Sequence, residues 1–267
     1  MVRKEFSIAK LPGFSLIAVI VFVALYLPIM MLVIYSFNSG KSVAIWEGFS
    51  LQWYVKAWAN EQVKEVTLRS VGLALSAATF STIAATMAAL GTTRRPAFKG
   101  QMAIFALINQ PLMVPEIVTA VALLIFFGAL KQFTGYQGMG YLVAAHTAFC
   151  IPFAYLPIQA RLNGMDNTLE TAAADLYGRS FQIFRRITLP LLMPGILAGF
   201  MLAFVTSLDD VVITLFVKSA GQDTLPTYML AQIRRSITTE VNAISTVLLA
   251  ATVLLLILFF ILTKKKN

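Results

Sequence analysis

The chain has 267 residues, 58% of them apolar and only 12% charged, with a formal net charge of +9. Soluble domains are nearer half apolar and a quarter charged, so a single water-soluble core is excluded and a polytopic membrane protein is indicated. A hydrocarbon layer about 30 Å thick takes about 20 apolar helical residues to cross. In chain order six runs qualify, over residues 14–37, 71–93, 102–130, 141–162, 189–217 and 241–263. Unbroken apolar runs lack the alternation of a membrane barrel, and only helices or closed barrels satisfy their backbone in lipid. The expected fold class is therefore all-α: six transmembrane helices forming one domain over residues 1–267. The first run is too long for a signal-peptide core and reads as an uncleaved span that also serves as insertion signal, with a signal peptide as the alternative.

Charge sets the expected orientation. With the N-terminus inside, the inner segments hold Arg3, Lys4, Lys10, Arg94, Arg95, Lys99, Arg161, Arg179, Arg185, Arg186, Lys264, Lys265 and Lys266, which is 13 of the 21 basic residues. The outer side holds Lys41, Lys56, Lys64, Arg69, Lys131, Lys218, Arg234 and Arg235. Lys/Arg-rich loops stay in the cytoplasm, so both termini are expected there, and the net charge needs no nucleic-acid partner. The lone Cys150 gives no disulfide framework. The lone His146 reads as a packed, hydrogen-bonded helix residue. No phosphate-binding loop, H-E-x-x-H or Cys/His array is present, so no enzyme, cofactor or metal site is expected. Vectorial work would draw its energy from a partner or an ion gradient.

One polar stretch interrupts the oil: LETAAADLYGRSFQIFRRITLP, residues 169–190, between spans four and five. It reads as two short cytoplasmic helices. Asn167 is placed as N-cap of the first, with Glu170 completing a capping box. Leu169, Ala172, Ala173 and Leu176 then share a face, and Asp175 and Arg179 stand four apart. Gly178 is the expected stop and Ser180 the cap of a second helix, with Phe181, Phe184 and Ile187 on one side. Pro190 and Pro194 mark the start of span five. On pattern alone this segment fits either a helix docked in a cleft of another protein or an amphipathic helix on the membrane surface.

The stretch resembles the EAA motif of permease subunits in binding-protein-dependent ABC importers. Ala172 and Ala173 match it, with Ile187, Leu189 and Pro190 at the spacing that the motif sets. Thr171 stands where the motif has Glu, and Tyr177 where it has Gly; Glu170 and Gly178 are the neighbouring substitutes. The blocks FNSGKSVAIWEGFSLQWY (37–54), PEIVTAVALL (115–124), SLDDVVITLFV (207–217), TLPTYML (224–230) and EVNAIST (240–246) resemble the spermidine/putrescine-type branch in order and spacing. The resemblance implies a coupling helix within 167–190 that seats on a separate cytoplasmic ATPase dimer, carried by Glu170, Thr171, Ala172, Ala173, Asp175, Gly178, Leu189 and Pro190. It further implies a second homologous permease, an extracytoplasmic binding protein, a bacterial inner-membrane setting and polyamine transport. An importer of another small cationic or nitrogenous solute stays open, as does an ion-gradient-driven carrier.

A carboxylate deep in the bilayer costs about 2.5–3.5 kcal/mol on insertion scales and usually faces a cavity or a partner. Glu116 in span three, and Asp209 and Asp210 in span five, are the candidates. At about 1.5 Å per residue, Asp209 lies roughly 28 Å along its helix from Pro190, and Glu116 roughly 22 Å from Gln101. Pro111 and Pro115 suggest a broken helix lining a cavity beside Glu116. These acids either offer sites to a passing cation or pair with polar groups on a neighbouring helix; adjacent Asp209 and Asp210 differ by about 100° on a helix. The resemblance places them, together with Ser207 and Trp46, on the substrate pathway. Trp46, Trp53 and Trp58 share the first outer loop, where interface anchoring is the default. Gly195 and Gly199 form a small-xxx-small pair suited to close helix packing.

Overall fold

The computed structural model describes residues 14–43, 45–94, 96–236 and 238–264. Of the charges used to orient the chain, Arg3, Lys4, Lys10, Arg95, Lys265 and Lys266 lie outside these residues. The described residues form helices α1 (Phe14–Tyr35), α2 (Gln52–Ala59), α3 (Glu61–Thr93), α4 (Gln101–Met113), α5 (Glu116–Thr134) and α6 (Gly140–Asn163). They continue with α7 (Thr168–Asp175), α8 (Ser180–Ile183), a π-helical turn (Phe184–Thr188), α9 (Leu189–Asp209), α10 (Val212–Val217), α11 (Leu225–Arg235) and α12 (Thr239–Lys264). Extended pairing among the described residues is limited to an isolated bridge between Asn38 and Phe49.

Among the described residues, six helices are long and apolar enough to cross a membrane: Ser15–Tyr35, Glu61–Thr93, Glu116–Thr134, Gly140–Asn163, Ser180–Asp209 and Thr239–Ile261. Three differ from the apolar runs in an instructive way. Span two begins ten residues before position 71, because polar turns extend the helix; Glu65 and Arg69 pair one turn apart at 2.5 Å. The third run is divided into α4 and α5. Pro115 supplies no N–H and holds Val114 extended (φ −101°, ψ 138°), so the helix restarts at Glu116. Pro111, by contrast, sits inside α4 without ending it. Span five starts inside the polar segment at Ser180, runs through Pro190 and Pro194, and stops at Asp209 instead of 217.

The chain divides into two compact units, Met1–Glu61 with Ala231–Ala251 and Gln62–Leu230 with Thr252–Asn267. In the first unit, Asn38 organises the loop after α1. Its buried side chain donates to the carbonyls of Ser42 and Ile45 (3.0 and 2.7 Å) and accepts from the amides of Gly40 and Glu47 (3.3 and 2.8 Å). Such saturation is what lets a polar side chain be buried at all. Trp53 corrects the expectation of interface anchoring. It is 5% exposed, and its indole N–H donates to the Asn38 carbonyl at 2.9 Å. Trp58 remains outside at 80% exposure. Trp46 is half-exposed and meets the Tyr35 ring edge-on at 6.0 Å.

In the second unit α6 and α9 pack at backbone distance. A Cβ on Gly199 would stand 2.6 Å from the Ala154 carbonyl oxygen, and one on Gly195 2.7 Å from the Arg161 Cβ. The small-xxx-small pair therefore acts as expected. Across the same seam Arg161 Nε donates to the Leu191 carbonyl at 2.9 Å. Buried Ala74, Ala77, Ala78, Ala85 and Ala89 form the packed stripe of α3, where small side chains let helices approach without a hydrophobic drive from lipid.

Candidate functional site

The acids of span five do not share one helix. Asp209 ends α9 and is exposed, whereas Asp210 lies in the break before α10, extended (φ −66°, ψ 132°) and buried. The Asp210 carboxylate caps α10. It accepts from the amides of Ile213 (3.2 Å) and Thr214 (2.9 Å) and from the Thr214 hydroxyl (2.9 Å). An extended residue with a short acceptor is what a helix start requires, and it explains why the chain can break inside an apolar run.

His146 on α6 completes the cluster. Its Nδ1 lies 2.8 Å from the Ser207 hydroxyl, and its Nε2 lies 3.0 Å from the Thr214 hydroxyl and 3.5 Å from Asp210 Oδ2. Thr214 gives its proton to Asp210, so its oxygen accepts from His146 Nε2–H. Nδ1 then accepts from Ser207. A neutral imidazole thus fits a one-directional relay of hydrogen bonds: Ser207 to His146, His146 to Thr214, Thr214 to Asp210. Glu116, exposed at the first turn of α5, brings its carboxyl within hydrogen-bonding reach of Asp210. The structure thus joins Glu116, Ser207 and Asp210, leaves Asp209 outside the cluster, and holds Trp46 in the other compact unit. His146 is the packed, hydrogen-bonded helix residue expected of it, though its solitary occurrence carried no signal of which partners it would meet.

A cleft of about 500 Å³ beside Trp53 is lined in part by Ser39, Lys41, Gln52 and Lys56, with Lys56 Nζ 5.0 Å from the Trp53 ring centre. Two ammonium groups make it unsuited to a cation.

The polar segment is built differently from its expected form. Asp166, not Asn167, caps α7: its carboxylate accepts from the Thr168 amide (2.9 Å) and hydroxyl (2.6 Å), while Asn167 makes no side-chain cap. Those two bonds hold the Asp166 carboxyl below its ordinary pKa. Glu170 forms no capping box. It accepts from the Thr188 hydroxyl at 2.8 Å and lies 3.5 Å from Arg94 Nη2, tying α7 to the ends of two spans.

Helix α7 stops at Asp175, so Asp175 and Arg179 do not share a helical face. The stop belongs to Tyr177, whose φ is +60°. The Tyr177 and Gly178 amides donate to the Ala174 and Ala173 carbonyls, both at 2.9 Å, the bond pair of a Schellman turn. Gly178 matters for space, since a Cβ there would stand 2.7 Å from the Ala173 oxygen. Arg179 occupies the N-cap of α8 in place of Ser180, with Gln182 Oε1 accepting its amide at 3.3 Å. Ala173 and Gly178 are half-buried on the chain itself, whereas Thr171, Ala172, Asp175 and Pro190 are exposed and Leu189 is intermediate.

Known proteins resemble most of the chain. Residues 72–265 match the family described as "Binding-protein-dependent transport system inner membrane component". The chain is 37% identical over 245 residues to the putrescine transport system permease protein PotI of Escherichia coli (strain K12), covering 91% of this chain and 87% of that one. It is 35% identical over 248 residues to the spermidine/putrescine transport system permease protein PotC of Haemophilus influenzae, covering 93% and 95%. Among solved structures, a bacterial ABC transporter involved in the import of the acidic polysaccharide alginate superposes with a TM-score of 0.72 at 13% identity over 94% of both chains. The MetNI methionine ABC transporter, in inward-facing conformations, gives 0.63 at 16% identity over 78% of this chain and 99% of that one. The structural likenesses carry the fold alone. With the family match spanning most of the chain, the protein belongs to the binding-protein-dependent transport system inner membrane components, the multi-pass permeases of ABC importers.

Proposed function

We propose that this permease carries a polyamine of the putrescine or spermidine kind from an extracytoplasmic binding protein to the cytoplasm. It works as a single transmembrane domain beside a second homologous permease, with a separate ATPase dimer seated on residues 167–190. The observation that carries the substrate class is the Glu116 carboxyl, exposed beside the α9–α10 break with no Lys or Arg in ion-pair distance among the described residues. Such an acid in a span is stabilised by a cation in transit. Asp209, exposed at the end of α9, is a second acid there; Asp210, the neighbour of Glu116, shapes with Ser207 the break that presents them. The names of the PotI and PotC relatives agree with this class. Trp46 supplies an aromatic face toward the binding protein.

For coupling, Leu169, Thr171, Ala172 and Asp175 present the exposed side of α7. Ala173, Gly178, Leu189 and Pro190 fix its turn and its joint with span five, and Glu170 binds it to the spans. Both termini and this segment lie in the cytoplasm, motivated by the Lys/Arg bias; a reporter inserted near Arg179 reads as inside, and an outside reading overturns the arrangement. The deciding experiment is reconstitution of the four-part complex with labelled putrescine and spermidine. ATP-dependent uptake of either, abolished without the binding protein, is expected. ATPase stimulation by a different solute alone would reassign the substrate, and uptake driven by an ion gradient without ATP would sink the importer reading.

A further inference from the structure

The turn that follows α7 combines two features that its own fold does not use. Tyr177 is the non-glycine residue with positive φ among the described residues, a region that side chains with a Cβ enter at a cost and that suits Gly at a Schellman turn. Its ring is also 97% exposed, and Leu176 beside it is 82% exposed. The turn itself is firmly set, by the paired bonds to Ala173 and Ala174 and by the close approach of Gly178 to the Ala173 oxygen. A strained, rigid turn therefore holds an aromatic ring out into solvent. Backbone strain kept without internal return is a pointer to external use.

We infer that Leu176 and Tyr177 form a plug for an apolar pocket on the ATPase subunit, and that this plug holds the subunit on the permease. The inference rests on the coupling role proposed above. Exposed Phe181 extends the apolar surface, and exposed Arg179, Arg185 and Arg186 flank it, so the pocket has a carboxylate-bearing rim. A protein surface suits these features better than a bilayer. A fixed turn is of use only against a surface of fixed shape, and exposed Asp166 and Asp175 on the same segment offset much of the attraction of the three arginines to anionic headgroups. Glu170 contributes little to the rim, being turned inward to Thr188 and Arg94.

The test titrates the ATPase that supports uptake against the detergent-solubilised permease pair carrying Tyr177, Tyr177→Phe or Tyr177→Gly. Glycine relieves the backbone and should leave the permease at least as heat-stable as before. Its affinity for the ATPase should nevertheless fall by about tenfold, the loss expected when one aromatic leaves a buried pocket, while Tyr177→Phe binds nearly as well as the parent. Equal or tighter binding by Tyr177→Gly overturns the plug. So does an unchanged affinity accompanied by weaker association of the segment with vesicles containing phosphatidylglycerol, which assigns the ring to the bilayer. If the parent chain itself fails to bind the ATPase, the coupling reading fails first, and the two failures are told apart.

Discussion

Two polar interruptions break otherwise greasy helices, and they turn their polar groups in opposite directions. At the α9–α10 break, Asp210, His146, Ser207 and Thr214 face one another, and each hydrogen bond ends on another member of the set. After span four, the segment 167–190 turns the polar groups of Glu170 and Thr188 inward and leaves Leu176, Tyr177, Phe181 and three arginines in the open. The first interruption is surrounded by helices, where an unpaired polar atom costs several kcal/mol. The second is open on the surface of the chain, where an exposed ring leaves no buried polar atom unpaired. Polarity in an apolar chain therefore has two meanings: closure where it is buried, presentation where it is not.

The comparison breaks most severely if α6 and α9 are forced apart, because His146 reaches Ser207 only across that seam. Gly199→Val puts side-chain carbons against the Ala154 carbonyl and should cost about 1–3 kcal/mol or more, as overpacking does. We expect a marked loss of detergent-stable permease; parent-like yield would show that the seam has room to give.

Next comes the contrast between neighbouring acids. Asp210→Asn places an amide against two backbone donors and should cost about 1–3 kcal/mol, lowering the amount of assembled complex. Asp209→Asn should assemble normally and lose about tenfold in uptake per complex, the effect of removing one charge-assisted contact with an ammonium. Measuring assembly and uptake separately decides it, and the opposite assignment would exchange the roles of the two residues.

The smallest effect belongs to the start of α7. Asp166→Ala should speed amide exchange over residues 168–174 without changing the spans. The Asp166 carboxyl is held below its ordinary value in the folded chain. Its contribution is thus complete above the pKa of an unfolded Asp and disappears as pH falls through the lower folded value. Protection of these amides in the parent, taken relative to the intrinsic exchange rate at each pH, should fall on acidification through that window, and the Ala variant should not show this fall. A parent profile flat in pH would remove Asp166 as the cap.

Much of this was legible in the amino-acid order. Run lengths announced six spans, Gly195 and Gly199 announced a close seam, and the run of Glu170, Ala172 and Ala173 announced an unusual insert. What stayed hidden depends on tertiary partners. Hydropathy does not report where a helix breaks within an apolar run, so α10 merged with span five, although Pro115 hinted at the break before α5. Trp53 looked like an interface anchor because its acceptor is a main-chain carbonyl, which every residue carries alike. The cap slipped from Asn167 to Asp166, a one-residue difference that depends on dihedral angles, and no rule of composition places Tyr177 in a left-handed conformation that Gly178 next door takes more readily.

The π-helical turn at Phe184–Thr188 has a consequence for phase. Leu189 donates to Phe184, five residues back, just ahead of Pro190, which has no proton to donate. Such a turn is an α-helix that has absorbed one surplus residue, and each residue turns a helix by about 100°. The azimuth at which α7 leaves span five is therefore set by a count of one. Deleting a single residue within this turn would restore a plain helix and swing the polar segment that carries α7 by about 100° around the axis of the span.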